Sequence, residues 1–240
     1  MKVVNDLVGL NLKIYQDDEF FKFSLESVLL PNFVNVNLRD KMILDLCTGN
    51  APIPLVLSMK TKAKIYGVEL QKEVFNLAID SVKLNQKENQ IEILNEDVKN
   101  LKNIFKGDTF DIITVNPPYF KVSDISIRNE NNTKSVARHE MELTLDELLK
   151  MASFLLKNNG YFYMVHRTER LIEILEKLKE YRLIPKKIQF IYKNEQSSSK
   201  LFLISASKNG NDGLKVLEPL FIHNEDGTYK KEILEIFEGR

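Results

Sequence analysis

Four short stretches hold side chains whose types and spacing suit the binding of a nucleoside and of a planar amine. The most specific is Asn116-Pro117-Pro118-Tyr119. Two prolines stiffen the backbone and remove two N–H donors, leaving carbonyl oxygens to face a ligand. The Asn116 amide oxygen and the Pro117 carbonyl can both accept from one exocyclic NH₂, and Tyr119 offers an aromatic face to a planar group. A proline-rich end that only terminates a strand has the same composition but no use for the asparagine. Upstream, Asp45-Leu46-Cys47-Thr48-Gly49-Asn50-Ala51 sets a carboxylate before a small-residue turn, ahead of a helix opening at Pro52 to Pro54. Glu69 lies 24 residues after Asp45, where a carboxylate can accept from both ribose hydroxyls. Asp97 stands in Asn95-Glu96-Asp97-Val98 and can accept from an adenine amine while the next N–H donates to the ring. Singly, each acid is equally well a solvated loop acid. Three at three successive strand ends are not explained that way. Of the three glycines of a dinucleotide fingerprint only Gly49 is present, which argues against NAD.

The elements that must position these residues follow from hydrophobic periodicity. Met42 to Cys47, Lys64 to Glu69, Ile91 to Leu94, Asp111 to Asn116 and Gly160 to His166 are short, rich in β-branched or aromatic residues, and read as five successive strands. Between the second and third, Phe75, Ala78, Ile79 and Val82 mark one face of a helix. Thr144 with Glu147 forms a capping box for a helix with stripe Leu145, Leu148, Leu149, Ala152 and Leu156. Another helix carries Leu171, Ile174, Leu175 and Leu178 ahead of Pro185, and two strands near Lys187 to Tyr192 and Leu201 to Ser207 form an antiparallel hairpin. Strands alternating with helices predict an α/β fold with a mostly parallel sheet. Residues 1–41 read as an N-terminal cap with a short helix after Ser24, 42–208 as the core and 209–240 as an extension ending in a helix, together one domain. The polar, aperiodic stretch Ser123 to His139 is long for a connection and reads as a functional or mobile loop.

Composition limits the alternatives. The chain has 240 residues, 43% hydrophobic, enough for a substantial core, and 34 basic residues balance 34 acidic ones, so bulk charge does not hold it to nucleic acid. A local patch must serve. Arg182 to Lys215 carries seven basic residues, Lys186 and Lys187 among them, against Glu195 and Asp212, a candidate backbone-tracking face or a set of solvated lysines. A single Cys47 forms no internal disulfide and reads as a small packed residue; no apolar run has signal-peptide or membrane-span length, so a cytoplasmic protein is expected. The three histidines have no metal-ligand spacing; no metal is expected, and His166 and His223 read as structural. Phe20, Phe21 and Phe23 read as core more readily than as a cover for a ligand.

Asp45, Glu69, Asp97 and Asn116-Pro117-Pro118-Tyr119, in that order on strands one to four, resemble the ordered motifs of class I S-adenosylmethionine-dependent methyltransferases that modify a planar amide or amino nitrogen. The resemblance implies a Rossmann-like fold, with a seven-stranded, mostly parallel sheet closed by an antiparallel hairpin, and S-adenosyl-L-methionine as cofactor. It places Asp45 and Gly49 beside the methionine part of that cofactor, Glu69 on its ribose and Asp97 with Val98 on its adenine. Cys47, Thr48, Leu70 and Asn116 complete the cofactor-binding set, and Asn116, Pro117, Pro118 and Tyr119 hold the target amine. Cys47 and Ala51 stand where glycines are usual in the wider superfamily, so an altered cofactor loop is expected. More narrowly, Ile14-Tyr15-Gln16, Phe23-Ser24-Leu25-Glu26-Ser27-Val28-Leu29-Leu30, the DLCTGNAPIPL turn and Ala137-Arg138-His139-Glu140 resemble the bacterial tRNA(Val) adenine-N6 methyltransferases, which act on the adenine just 3′ of the anticodon. That implies tRNA as partner, with Arg138, His139, Lys186 and Lys187 as candidate RNA contacts. Rival readings are a methyltransferase of a release-factor glutamine, whose family usually has a larger helical N-terminal domain than 41 residues allow, one acting on an rRNA guanine amine, and a catalytically silent RNA-binding scaffold.

Overall fold

The computed structural model describes residues 2–7, 11–17, 24–117 and 143–238. The central strands β3 (Met42–Leu46), β4 (Lys64–Glu69), β5 (Ile91–Asn95), β6 (Phe110–Val115) and β7 (Leu156–Arg167) are parallel neighbours in the order β7-β6-β3-β4-β5. Beyond β7 the sheet continues through β9 (Leu201–Lys208) to β8 (Leu183–Tyr192), and β9 is antiparallel to both. Two strands of two residues each, β10 (Lys215–Val216) and β11 (Leu220–Phe221), run parallel along the outside of β8. The main sheet thus has nine strands: the seven of the expected topology and two short edge strands, where a single extended segment was expected after residue 214.

Alternation along the strands divides the core into two layers. Ile43, Ile65 and Ile112 pack with α1 (Glu26–Phe33), α2 (Pro52–Lys60), α3 (Lys72–Leu84) and α6 (Lys231–Phe237). Leu44, Leu46 and Ile113 pack on the other face with α4 (Leu145–Leu155) and α5 (Leu171–Glu180). The Thr144–Glu147 capping box starts α4 as expected. Leu156, expected to end that helix stripe, instead opens β7, four residues before the expected Gly160. Lys157 pairs with Asp111 at 2.7 Å, and the polar residues 157–160 span a register shift between the Phe110–Leu156 and Ile112–Tyr161 pairs. Strand β8 also begins earlier than expected, and Pro185 is accommodated at a register shift within it.

The N-terminal cap contains an element not expected from the sequence: β1 (Lys2–Asp6) and β2 (Lys13–Asp17) form an antiparallel pair. It is fastened to α3, where Tyr15 N donates to Ser81 Oγ at 3.0 Å and Lys13 N to Asn85 Oδ1 at 2.9 Å. Helix α1 is anchored at its far end by Lys60, whose Nζ donates to the carbonyl oxygens of Pro31 and Val34 at 2.7 and 3.0 Å.

Candidate active site

The chain lays β3, β4 and β5 outward in one direction and then returns to place β6 on the other side of β3. This reversal opens a crevice at the carboxyl ends of β3 and β6, the place where open α/β sheets bind ligands. Asp45 spans it. Its Oδ1 accepts from Thr114 Oγ1 on β6 and its Oδ2 from Thr48 Oγ1 in the following turn, both at 2.6 Å. The carboxyl is completely buried; burial raises its pKa to about 7 against the pull of the two hydroxyl bonds, with Glu69 adding to the rise. In this structure Asp45 shapes the turn through Thr48. Gly67, its neighbour on β4, makes room for that arrangement, since a Cβ there would come within 2.9 Å of Thr48 Oγ1.

The turn is tightly curled. Cys47, Gly49 and Ala51 have φ of 56°, 59° and 71°. Cys47 and Ala51 therefore hold a left-handed backbone that glycine adopts without strain, at roughly 1 kcal/mol each. Nothing lies within 4 Å of where a Gly49 Cβ would be, so a ligand can approach the bare backbone. The Cys47 thiol is pushed well above its ordinary pKa by desolvation and by the carboxylates of Glu69, Asp45 and Asp97, which keeps it protonated and a poor nucleophile.

Glu69, at the tip of β4 and 7% exposed, accepts from Gly49 N at 3.0 Å and Gln71 N at 2.9 Å. A carboxylate has about four acceptor sites, so it can fasten the turn and still accept from ribose hydroxyls. Leu70 beside it is exposed and can cover an adenine face. After β5, Asp97 Oδ1 accepts from Lys99 N at 2.8 Å and so caps the short 3₁₀ helix Val98–Asn103. The first N–H groups of a helix have no partner within it, which suits Val98 to the adenine edge. The structure brings Asp45, Cys47, Thr48, Gly49, Glu69, Leu70, Asp97 and Val98 to adjoining strand tips, and this donor and acceptor set fits an adenosine-bearing cofactor.

At the end of β6, Asn116 and Pro117 stand on the other lip of the crevice. Asn116 Nδ2 donates to Ser27 Oγ on α1 at 3.3 Å, across 89 residues of sequence. This bond ties the Asn116 amide to the N-terminal cap. Ser27 and Thr114 were not expected from the sequence. The one available signal was a lone hydroxyl within each apolar run, and both are buried. His166 lies behind Pro117, lines a small space with Arg170, and accepts from Arg167 N through Nδ1. Burial lowers its pKa to about 3, so it is neutral and structural.

A family model described as a methyltransferase domain matches residues 38–237. The chain belongs to the methyltransferase domain family. It is an S-adenosyl-L-methionine-dependent methyltransferase. Two similar proteins are named tRNA1(Val) (adenine(37)-N6)-methyltransferase. The one from Cytophaga hutchinsonii is 27% identical over 93% of this chain and 92% of its own length, and the one from Flavobacterium psychrophilum is 24% identical over 94% of each. Among solved structures, a predicted O-methyltransferase from Agrobacterium tumefaciens matches with TM-score 0.70 at 18% identity, over 89% of this chain and 96% of its own. Geranyl diphosphate C-methyltransferase from Streptomyces coelicolor matches at TM-score 0.56 and 11% identity over 76% of each chain. These structural matches establish the fold.

The remaining candidate residues of the methyltransferase are placed differently. Pro118, Tyr119, Arg138 and His139, the Ser123 to His139 loop, and Phe20, Phe21 and Phe23 lie outside the described residues. Lys186 and Lys187 sit midway along β8, three strands from β6. Lys186 Nζ donates to Asn211 O, and Lys187 pairs in register with Lys215. The basic run Arg182 to Lys215 is not one face, because antiparallel pairing carries Lys193 and Lys200 to the carboxyl edge and Arg182 and Lys208 to the opposite edge, where Lys208 pairs with Asp108. Among the described residues no helix is long and apolar enough to cross a membrane.

Proposed function

We propose that this methyltransferase transfers its methyl group to the exocyclic N6 of an adenine in tRNA, with the anticodon-adjacent adenine of tRNA(Val) as the target. The observation that carries the reading is Asn116 at the carboxyl end of β6, followed by Pro117 and bonded through Nδ2 to Ser27 on α1. The names of relatives aligned over more than nine-tenths of the chain support the choice of acceptor.

The cofactor supplies an activated sulfonium methyl. An adenine amine is a poor nucleophile because its lone pair is delocalised into the ring. Hydrogen bonds from the amine protons to Asn116 Oδ1 and the Pro117 carbonyl favour a pyramidal nitrogen and aim its lone pair. These bonds strengthen as the nitrogen becomes positive, which is the condition for stabilising the transition state over the bound substrate. Holding the two reactants in line contributes up to roughly 7–11 kcal/mol in favourable cases. No strong base is needed, since the N6 proton becomes acidic as the new C–N bond forms. Tyr119 stacks on the extruded base and offsets its unstacking.

Incubation of the protein with isotopically labelled cofactor and, separately, bulk tRNA, rRNA and a release factor, followed by nucleoside and peptide mass spectrometry, tests the proposal. N6-methyladenosine in the tRNA alone is expected. Label in an rRNA guanine or a glutamine would replace it with one of those acceptors.

A further inference from the structure

At the outer end of the sheet, on the same edge as Asn116, two polar loops enclose a cavity of about 190 Å³. The β8–β9 connection contributes Asn194, Glu195 and Gln196, and the segment between β11 and α6 contributes His223, Glu225 and Lys230. Both loops are tied to the sheet. Ile222 N donates to Tyr192 O at 3.0 Å and His223 N to Lys193 O at 2.9 Å, extending the β8–β11 ladder. Thr168, just past β7, donates through N to Lys200 O and through Oγ1 to Ser199 O. Strand β8 runs in the same direction as β6, because β9 between β8 and β7 is antiparallel to both. The cavity therefore opens beside the active edge, between three and four strand spacings from β6, on the order of 14–19 Å at roughly 4.8 Å each. That distance is about four to six steps of a stacked nucleic-acid strand at roughly 3.4 Å per step.

The lining selects a type of occupant. The volume equals about six waters at roughly 30 Å³ each and is below the roughly 300 Å³ at which pockets for drug-sized ligands begin, so it suits one heterocycle. Two carboxylates face one lysine, and Lys230 is already paired with Glu195 at 2.5 Å. An isolated phosphate is repelled by this balance. A base that donates from an exocyclic amine is attracted, because Glu225 and the amide oxygens of Asn194 and Gln196 accept while the amide NH₂ groups serve ring nitrogens. His223 forms one wall as a ring stacked on Tyr229 at 4.9 Å and 24° between planes, and Tyr229 abuts Phe237 edge-on at 5.1 Å. His223 Nδ1 is buried without a hydrogen-bond partner. Lys193 and Lys200, exposed at the ends of the β8–β9 connection, supply positive charge outside the cavity, where a backbone leading to it would pass.

Resting on the RNA substrate proposed above, we infer that this cavity is a second nucleotide site, holding an unpaired, amine-bearing base of the substrate RNA about four to six nucleotides from the methylated adenine. It fixes the register of the RNA and leaves the chemistry to Asn116. Gln196 and Glu225 are exposed and bond each other weakly at 3.4 Å, so the double variant Gln196→Ala with Glu225→Ala preserves the loops, and His223→Phe keeps the stack while removing the nitrogen. The test measures dissociation constants for labelled tRNA, oligo(C) and oligo(U) by fluorescence anisotropy, together with the methylation KM and kcat for tRNA and the affinity for S-adenosylhomocysteine. Both variants are expected to weaken tRNA and oligo(C) binding and raise KM about five- to twentyfold, within the range for losing a bidentate base contact. Affinity for oligo(U), which has no exocyclic amine, kcat and cofactor affinity should stay within twofold. If tRNA is methylated and both variants bind it like wild type, the cavity is not a base site although the substrate reading stands. If the wild-type protein neither binds nor methylates tRNA, the substrate reading fails and this inference falls with it.

Discussion

Around Asp45 the bonds that shape the site join adjacent strands and the turn between them: Thr48 is three residues away, Thr114 lies on neighbouring β6, and Glu69 reaches Gly49 from the adjoining strand tip. Around Asn116 the orienting bond comes from Ser27, 89 residues earlier, on a helix whose far end is pinned by Lys60. The cofactor cradle is a product of one βαβ unit and its neighbours. The acceptor lip depends on how the N-terminal segment packs over the sheet. The two halves are therefore separable: damage to the cradle should appear as lost cofactor affinity, and damage to the lip as lost turnover with cofactor bound.

The largest effect that would break or support this division is that of Asn116→Ala. Methyl transfer in a single turnover is expected to fall on the order of 10²–10³-fold, as for loss of one preorganised transition-state contact, with cofactor affinity changed by less than about threefold, an outcome that would also remove Asn116 from the cofactor-binding set in which its sequence motif placed it. Glu69→Ala should act on the other half. Loss of a hydrogen-bonding carboxylate costs about 1.5–3 kcal/mol, and calorimetry should show S-adenosylhomocysteine binding weakened roughly 10- to 150-fold at about 1.4 kcal/mol per factor of ten. Unchanged affinity in a folded variant would remove Glu69 from the ribose.

Ser27→Ala sharpens the comparison, because it changes a residue of the N-terminal cap and leaves every cradle residue in place. Turnover should drop about three- to tenfold, the size of one modest hydrogen bond, and cofactor affinity should not move. A drop in cofactor affinity in place of turnover would show that the halves are not separable. A separate effect, on stability and not on turnover, concerns Asp45. Its folded pKa of about 7 exceeds its ordinary 3.8, so between these values the folded state holds a proton that the unfolded chain has released. Stability contributed by this group therefore falls as pH rises through that window, by about 1.4 kcal/mol per pKa unit, and is constant above it. Asp45→Asn lacks the titration, and its melting temperature relative to wild type should climb between pH 5 and pH 8. A flat difference would mean that the buried carboxylate ionises without penalty.

The same contrast explains what could be read from the sequence. Asp45, Glu69 and Asp97 were legible because each ends a short β-branched run, and strand tips on one edge must adjoin once the strands are parallel. Ser27 was not, since no periodicity reports a contact made across 89 residues. The β1–β2 pair is not marked by hydrophobic pattern, because β1 is almost wholly exposed and β2 is fastened by backbone bonds to Ser81 and Asn85 on α3. Lys186 and Lys187 looked like part of one basic face because proximity in sequence was taken for proximity in space, and the β8–β9 reversal separates that run between two edges.

The central claim is tested most directly by single-turnover methylation of tRNA by the Glu69→Ala and Asn116→Ala enzymes across a cofactor titration. If the cradle binds cofactor and the lip aims the amine, raising the cofactor concentration restores the Glu69→Ala rate to within a few-fold of wild type, while the Asn116→Ala rate stays on the order of 10²-fold low at saturation. An Asn116→Ala enzyme that reaches a near wild-type rate, or one rescued by cofactor as Glu69→Ala is, would contradict the account.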